Sequence, residues 1–188
     1  MLTEQQKTNS QYDEVISRSI DIFTKKTQDY GTAWRVLRPI SIVDQIYIKA
    51  QRIRTIQEKK MQQVSDDITG EFIGILNYAI IGLVQLELSD DAPDELSTEE
   101  AIYQYQQTVQ RARDLMLLKN HDYGEAWRNL SQESFADLIL MKLLRMRQII
   151  TNEGKTLMSE GLDANYLDII NYAVFALILF QETNHARA

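Results

Sequence analysis

An all-α fold, a helical bundle of two tandem three-helix repeats packed as a pseudo-dimer, is what this sequence of 188 residues predicts. Three observations carry that reading. Apolar residues recur at helical spacing almost throughout, with little of the strict alternation a half-buried strand requires. Glycine (7) and proline (2) are scarce, which leaves few of the turns a sheet would need. The chain also matches itself: with Gln11–Gln57 laid on Gln104–Ile150, about 19 of about 47 positions are identical, far above chance. After one extra residue the match resumes, and Asn77-Tyr78-Ala79 faces Asn171-Tyr172-Ala173.

The first repeat takes residues 1–90 and the second 91–188, and the two share one core. In each, the first helix runs over about Glu4–Gln28 or Thr98–His121, the second over about Ile42–Lys60 or Phe135–Asn152, and the third over about Asp67–Leu88 or Asp163–Glu182. Ser97-Thr98-Glu99-Glu100 has the capping-box pattern that starts a helix, just after the acidic, proline-containing stretch joining the repeats. The third helices are apolar on nearly every side, so neither repeat buries its own alone.

Composition narrows the function classes. A net charge of −7 and a pI near 4.9 argue against nucleic acid and against an anionic membrane surface. The absence of cysteine removes disulfides, thiolate metal sites and a cysteine nucleophile. The polar start MLTEQQKTNSQ lacks a secretory signal, so the expected location is the cytoplasm. FIGILNYAIIGLVQL and YLDIINYAVFALILF fall short of the roughly 20 apolar residues of a membrane span and are expected to be buried helices.

QDYGTAW (28–34) and HDYGEAW (121–127) close the first helix of each repeat. Gly31 and Gly124 suit the left-handed residue that stops a helix, and Trp34 and Trp127 suit anchors that fold the turn onto the core. Asp29 and Asp122 lie where the helix dipole disfavours an acid by roughly 0.3–1 kcal/mol. A turn-type bond to the backbone, pairing with Arg35 and Arg128, or contact with a ligand would each answer that.

On the second helix Asp44, Lys49, Arg52 and Arg54 match Asp137, Lys142, Arg145 and Arg147. Charges on so apolar a helix need partners, either each other across the repeats or the oxygens of a phosphate. On the third helix Glu71, Asn77 and Tyr78 form a polar stripe, as do Asn165, Asp168, Asn171 and Tyr172. Asp168, between Leu167 and Ile169, requires a cation, a metal or a donor. Tyr12, Arg18 and Asp21 recur as Tyr105, Arg111 and Asp114, whereas His121 and His185 have no counterpart in the first repeat, so a two-histidine metal site has no support.

Lys-x-x-Asp-Tyr-Gly-x-x-Trp, Lys-x-x-Arg on the next helix and Asp-x-x-Asn-Tyr-Ala on the last resemble the nucleotide modification associated domain of the first type, twice over and across almost the whole chain. More remotely the pattern is similar to the MazG-like nucleotide pyrophosphohydrolases, in which acidic residues on two helices hold magnesium against a triphosphate. The resemblance implies a small-molecule nucleotide as partner and Mg²⁺ as cofactor, with Asp168, Asp114, Asp163 and Glu71 as metal ligands. It implies Lys49, Arg52, Lys142 and Arg145 on the phosphates, and Asp29, Asp122, Trp34, Trp127 and Tyr172 among the other substrate contacts; no catalytic residue is assigned. The sequence departs from the MazG-like pattern in lacking a glutamate cluster on the second helix. On the third, Glu71 is followed by Gly74 where the second repeat has Asn165 and Asp168, so neither copy keeps both acids. The expectation is one pocket between the repeats, built from Glu71 and Asp168, in a monomeric pseudo-dimer or a homodimer. The alternative is a non-catalytic helical interaction module with a decayed site.

Overall fold

A computed structural model describes residues 3–59, 67–89, 91–158 and 160–185. Its regular structure there is helical: α1 (Glu4–Tyr30), α2 (Pro39–Lys59) and α3 (Ile68–Glu87), then α4 (Thr98–Tyr123), α5 (Gln132–Thr151) and α6 (Leu162–His185). A short 3₁₀ turn follows each first helix, Ala33–Val36 and Ala126–Asn129. Lys60, the expected end of the second helix, lies outside the described residues.

Local chemistry sets the boundaries. Thr3 and Gln6 form a reciprocal capping box at the start of α1, and the Ser97 hydroxyl accepts from the Glu100 amide at the start of α4. α2 and α5 begin three residues earlier than their first apolar residue suggests. Pro39 supplies the pre-set first position of α2, and Ser131 caps α5 through the Ser134 amide.

The two turns are not copies of each other. Gly124 is left-handed (φ 58°, ψ 40°), but Gly31 (φ 64°, ψ −155°) occupies a region that is essentially glycine-only. The expected left-handed stop therefore holds for one repeat and not the other. Glu125 then adopts φ 56° as well, which folds its carboxylate inward. Its counterpart Thr32 has φ −95° and instead accepts from the Leu96 amide at 2.9 Å.

α2, α3, α5 and α6 make the centre, α3 against α6 and α2 against α5 across the repeats, and α2 against α3 and α5 against α6 within them. α1 and α4 lie on this core, each touching both α3 and α6. A single apolar cluster runs from Tyr12 and Ile46 through Leu76 and Ile80 to Ile139 and Ile170. Each fully buried aliphatic side chain there contributes about 1.5–3 kcal/mol relative to exposure. Gly82 is the close approach between repeats, where a Cβ would run into the Tyr166 ring.

α3 and α6 are longer than the apolar runs suggested, and by length and composition both are long enough to cross a membrane. About two-thirds of each apolar window is nonetheless buried in the molecule (67%), against its own repeat and the other.

Polar pairs set the register between the repeats. The Tyr12 hydroxyl donates to Asn171 Oδ1 at 2.9 Å and the Tyr105 hydroxyl to Asn77 Oδ1 at 2.8 Å. Each asparagine donates in turn to its own repeat's first helix, Asn77 to the Ser19 carbonyl and Asn171 to the Ala112 carbonyl. Asp44 pairs with Arg147 at 2.7 Å and Arg54 with Asp137 at 3.6 Å, the same contact made twice across α2 and α5. These four charges are internal ion pairs between the copies.

Candidate functional site

The helix stop that ends α1 also opens a cavity. The last turn of α1, Gly31, Trp34 and the Gly70–Ile81 stretch of α3 together line a space of about 550 Å³. Lys26 and Lys49 line it on the charged side; Tyr30, Trp34 and Tyr78 supply aromatic faces; Gly74 and Asn77 line it from α3. The second repeat holds the equivalent space, about 380 Å³, with Lys119, Tyr123, Trp127, Asn171 and Tyr172 in the matching places. Asp168 and Phe175 stand there where the first repeat has Gly74 and Ile81. Phe175 stacks on Trp127 with ring centres 4.2 Å apart, and Arg128 covers the same indole at 4.4 Å.

The carboxylates are committed differently in the two repeats. Glu71 accepts from Arg52 and, at 3.5 Å, from Lys49. Asp168 accepts from Lys119 and from Lys142, both at 2.6 Å. Burial works against the Lys119 ammonium, but the bond to Asp168 and its charge outweigh it and hold the lysine above its ordinary pKa. Burial also pushes the Tyr172 phenol up, reinforced by Asp168 and opposed by Lys119 and Arg145.

The structure brings some expected residues together and separates others. Trp34 and Lys49 line the first cavity, and Trp127, Asp168 and Tyr172 the second. Lys142 is buried on Asp168, Arg52 sits on Glu71, and Arg145 and Asp137 are exposed rather than embedded in an apolar face. Asp29 and Asp122 are exposed too, where the effect of the helix dipole is weakest, and Asp122 also meets His121 Nδ1 at 3.0 Å.

Arg35 and Arg128 do not reach those aspartates. Arg35 holds Gln85 and the Pro93 carbonyl; Arg128 donates to Glu125 at 2.7 Å, Thr8 at 2.6 Å, Gln11 at 2.9 Å and Glu182 at 3.3 Å, tying the second turn to α1 and α6. Asp114 is exposed beside Gln110, and Asp163 is exposed near the start of α6. Among the described residues no three acidic or histidine side chains gather as metal ligands.

The composite pocket expected from Glu71 and Asp168 is corrected. Each cavity is lined by one repeat only, residues 22–81 or 116–175, and each acid is bound to cations of its own repeat. The reason is geometric: the inter-repeat seam is filled by α3 and α6 side chains, and both cavities open at the outer turns. Four residues outside the expected site set hold places there: Lys26, Tyr30 and Lys119 line the cavities, and Glu125 pairs with Arg128 at the second turn. The signal for the lysines was present, since both recur one turn before Asp-Tyr-Gly.

The family model for nucleotide modification associated domain 1 matches residues 26–86 and again 119–180, more than half of the chain. The chain belongs to that family. Both segments of this nucleotide modification associated domain 1 protein begin at the cavity lysine, Lys26 or Lys119, and end in the third helix. They contain nearly all of each cavity's lining and leave out most of α1 and α4. No curated protein and no solved structure matches the chain.

Proposed function

We propose that this chain binds a nucleotide in the cavity of its first repeat. One observation carries the reading: a space of about 550 Å³ whose lining holds two lysines, Lys26 and Lys49, and four aromatic side chains, Phe23, Tyr30, Trp34 and Tyr78. Lysine ammoniums are point charges suited to phosphate oxygens, and an aromatic face suits a base, each stacked base being worth about 1–3 kcal/mol. The family's association with nucleotide modification agrees with such a ligand.

The MazG-like likeness belongs to this proposal in its binding half. Triphosphate hydrolysis by a resident magnesium requires oxygen donors gathered around the ion. Here Glu71 and Asp168 are each held by two cations, and the other two acids named for the metal, Asp114 and Asp163, are exposed outside the cavity linings. The donor set does not fit a resident ion, so magnesium enters as the counter-ion a triphosphate carries. The interaction-module alternative is supported by internal ion pairs: Asp44 with Arg147 and Arg54 with Asp137 between the repeats, and Lys49, Arg52 and Lys142 on Glu71 or Asp168 within them, account for all the repeated second-helix charges but Arg145 without a ligand.

The test is calorimetric titration and thermal shift with nucleoside and deoxynucleoside mono-, di- and triphosphates, with and without magnesium, together with product analysis for released pyrophosphate. A binder present at about 100 times its Kd raises stability by about 2.7 kcal/mol. No heat and no shift with any nucleotide would sink the reading.

A further inference from the structure

We infer that the two equivalent cavities have opposite roles: the first is an open phosphate site, and the second is closed by its own carboxylate, Asp168, standing where the ligand's anionic group sits in the first. The inference rests on the nucleotide reading for the identity of the ligand, but its core, one oxyanion site per chain, stands on geometry.

The repeat supplies the comparison. Lys26 corresponds to Lys119, Lys49 to Lys142 and Gly74 to Asp168, with Asn77 matching Asn171 one turn further on. In the second repeat the Asp168 carboxylate bridges the two lysines, one oxygen to each, at 2.6 Å. Two charge-assisted bonds of that length describe an oxyanion site already filled. In the first repeat there is no side chain at Gly74, and a Cβ added there would lie 3.0 Å from Lys49 Cδ and Cε and 3.2 Å from its Nζ. The Lys49 side chain thus runs across the bare face of α3, beside the space its counterpart fills with an acid.

Charge follows the same exchange. Lys26 and Lys49 are the charged residues of the first cavity's lining, and no acid joins them in that lining among the described residues; in the second, Asp168 stands in the lining and offsets one of the two lysines it bridges. Glu71, one turn before Gly74, does not fill the gap, because it is held by Arg52 and only at 3.5 Å by Lys49. The result is a basic cavity in a chain of net charge −7, which concentrates an anion at one place on an otherwise repelling surface. The larger volume, about 550 against 380 Å³, is on the same side.

The two tryptophans, one in each cavity, make the test direct. In protein carrying 5-fluorotryptophan, the two ¹⁹F signals are assigned with Trp34→Phe and Trp127→Phe, and inorganic pyrophosphate is titrated in, followed by dATP and dGTP. The expected result is a shift of the Trp34 signal alone, with one pyrophosphate per chain by calorimetry. Gly74→Asp removes that response, and Asp168→Gly adds a response at Trp127. Lys26 is exposed and outside the core, so Lys26→Ala keeps the fold; it weakens pyrophosphate at least tenfold, whereas Lys119→Ala leaves the Trp34 response unchanged. A wild-type response at Trp127, two pyrophosphates per chain, or no pyrophosphate response at Trp34 overturns the inference. Pyrophosphate at Trp34 with no nucleotide binding leaves the inference standing and removes the nucleotide reading.

Discussion

The Tyr12 hydroxyl donates to Asn171 Oδ1 at 2.9 Å, joining side chains 159 positions apart, and its repeat-related pair Tyr105 and Asn77 does the same at 2.8 Å. Both tyrosines are fully buried or nearly so, at 0% and 1% exposed. Tyr12→Phe leaves Asn171 Oδ1 without its donor in the core and is expected to cost about 1–3 kcal/mol, with Tyr105→Phe similar. Urea unfolding of each variant checks this; a loss below about 0.5 kcal/mol in both would show that the pairs do not hold the repeats together.

Alkaline pH should act through the same residues. Burial pushes the phenols of Tyr12, Tyr105 and Tyr166 well above the ordinary tyrosine range; Asp13 and Arg113 oppose each other at Tyr12, and Tyr12 adds to the rise at Tyr105. A folded pKa above the unfolded one gives stability that is complete below about pH 10 and lost as pH rises beyond it. Absorbance at the phenolate band should therefore show a subset of tyrosines that ionise only as the far-ultraviolet helical signal collapses. Smooth ionisation of all nine before unfolding would contradict it.

The two turn glycines should respond unequally. Gly124→Ala meets nothing within 4 Å and keeps a left-handed conformation, so its cost is about 1 kcal/mol. Gly31→Ala faces the glycine-only region and runs into the Glu95 side chain, for about 2–3 kcal/mol. Thermal melting of both variants decides it, and equal losses would refute the difference between the turns.

Asp168→Ala leaves Lys142, 9% exposed, without its partner and is expected to cost about 3 kcal/mol at low ionic strength. Added pyrophosphate should recover part of that loss by taking the carboxylate's place. An unchanged melting temperature would show that the bridge is not structural.

Arg128 donates to four side chains from α1, the turn and α6 while remaining partly buried. Arg128→Lys keeps the charge but not the fork, so it should lose about 2 kcal/mol, and Arg128→Ala more, since Glu125 at 8% exposure is left without its cation. Denaturant midpoints rank the three proteins, and a lysine variant equal to wild type would refute the geometric role.

Much of the fold was legible before any coordinate. Helical periodicity located the six α-helices of the described residues, and the internal match paired Tyr12 with Tyr105 and Asn77 with Asn171 as equivalents. The site was less legible. The repeated lysines were visible as positions, but a linear pattern does not say whether a charge meets solvent, its own repeat or the other one. Asp29 and Asp122, conspicuous at their helix ends, are exposed, while the less conspicuous Lys26 and Lys119 line the cavities.

By itself the sequence determined the helices, their duplication and the turn that ends each first helix, because periodicity, capping and a positive-φ glycine are local properties of neighbouring residues. Only the tertiary structure decided that Tyr12 reaches Asn171 rather than its own repeat's Asn77, and that Lys119 and Lys142 converge on Asp168 while their counterparts stand beside the bare backbone of Gly74. Those outcomes depend on how α1 lies on α6, how α4 and α5 approach α6, and how α2 approaches α3, distances set by side-chain packing across the whole core.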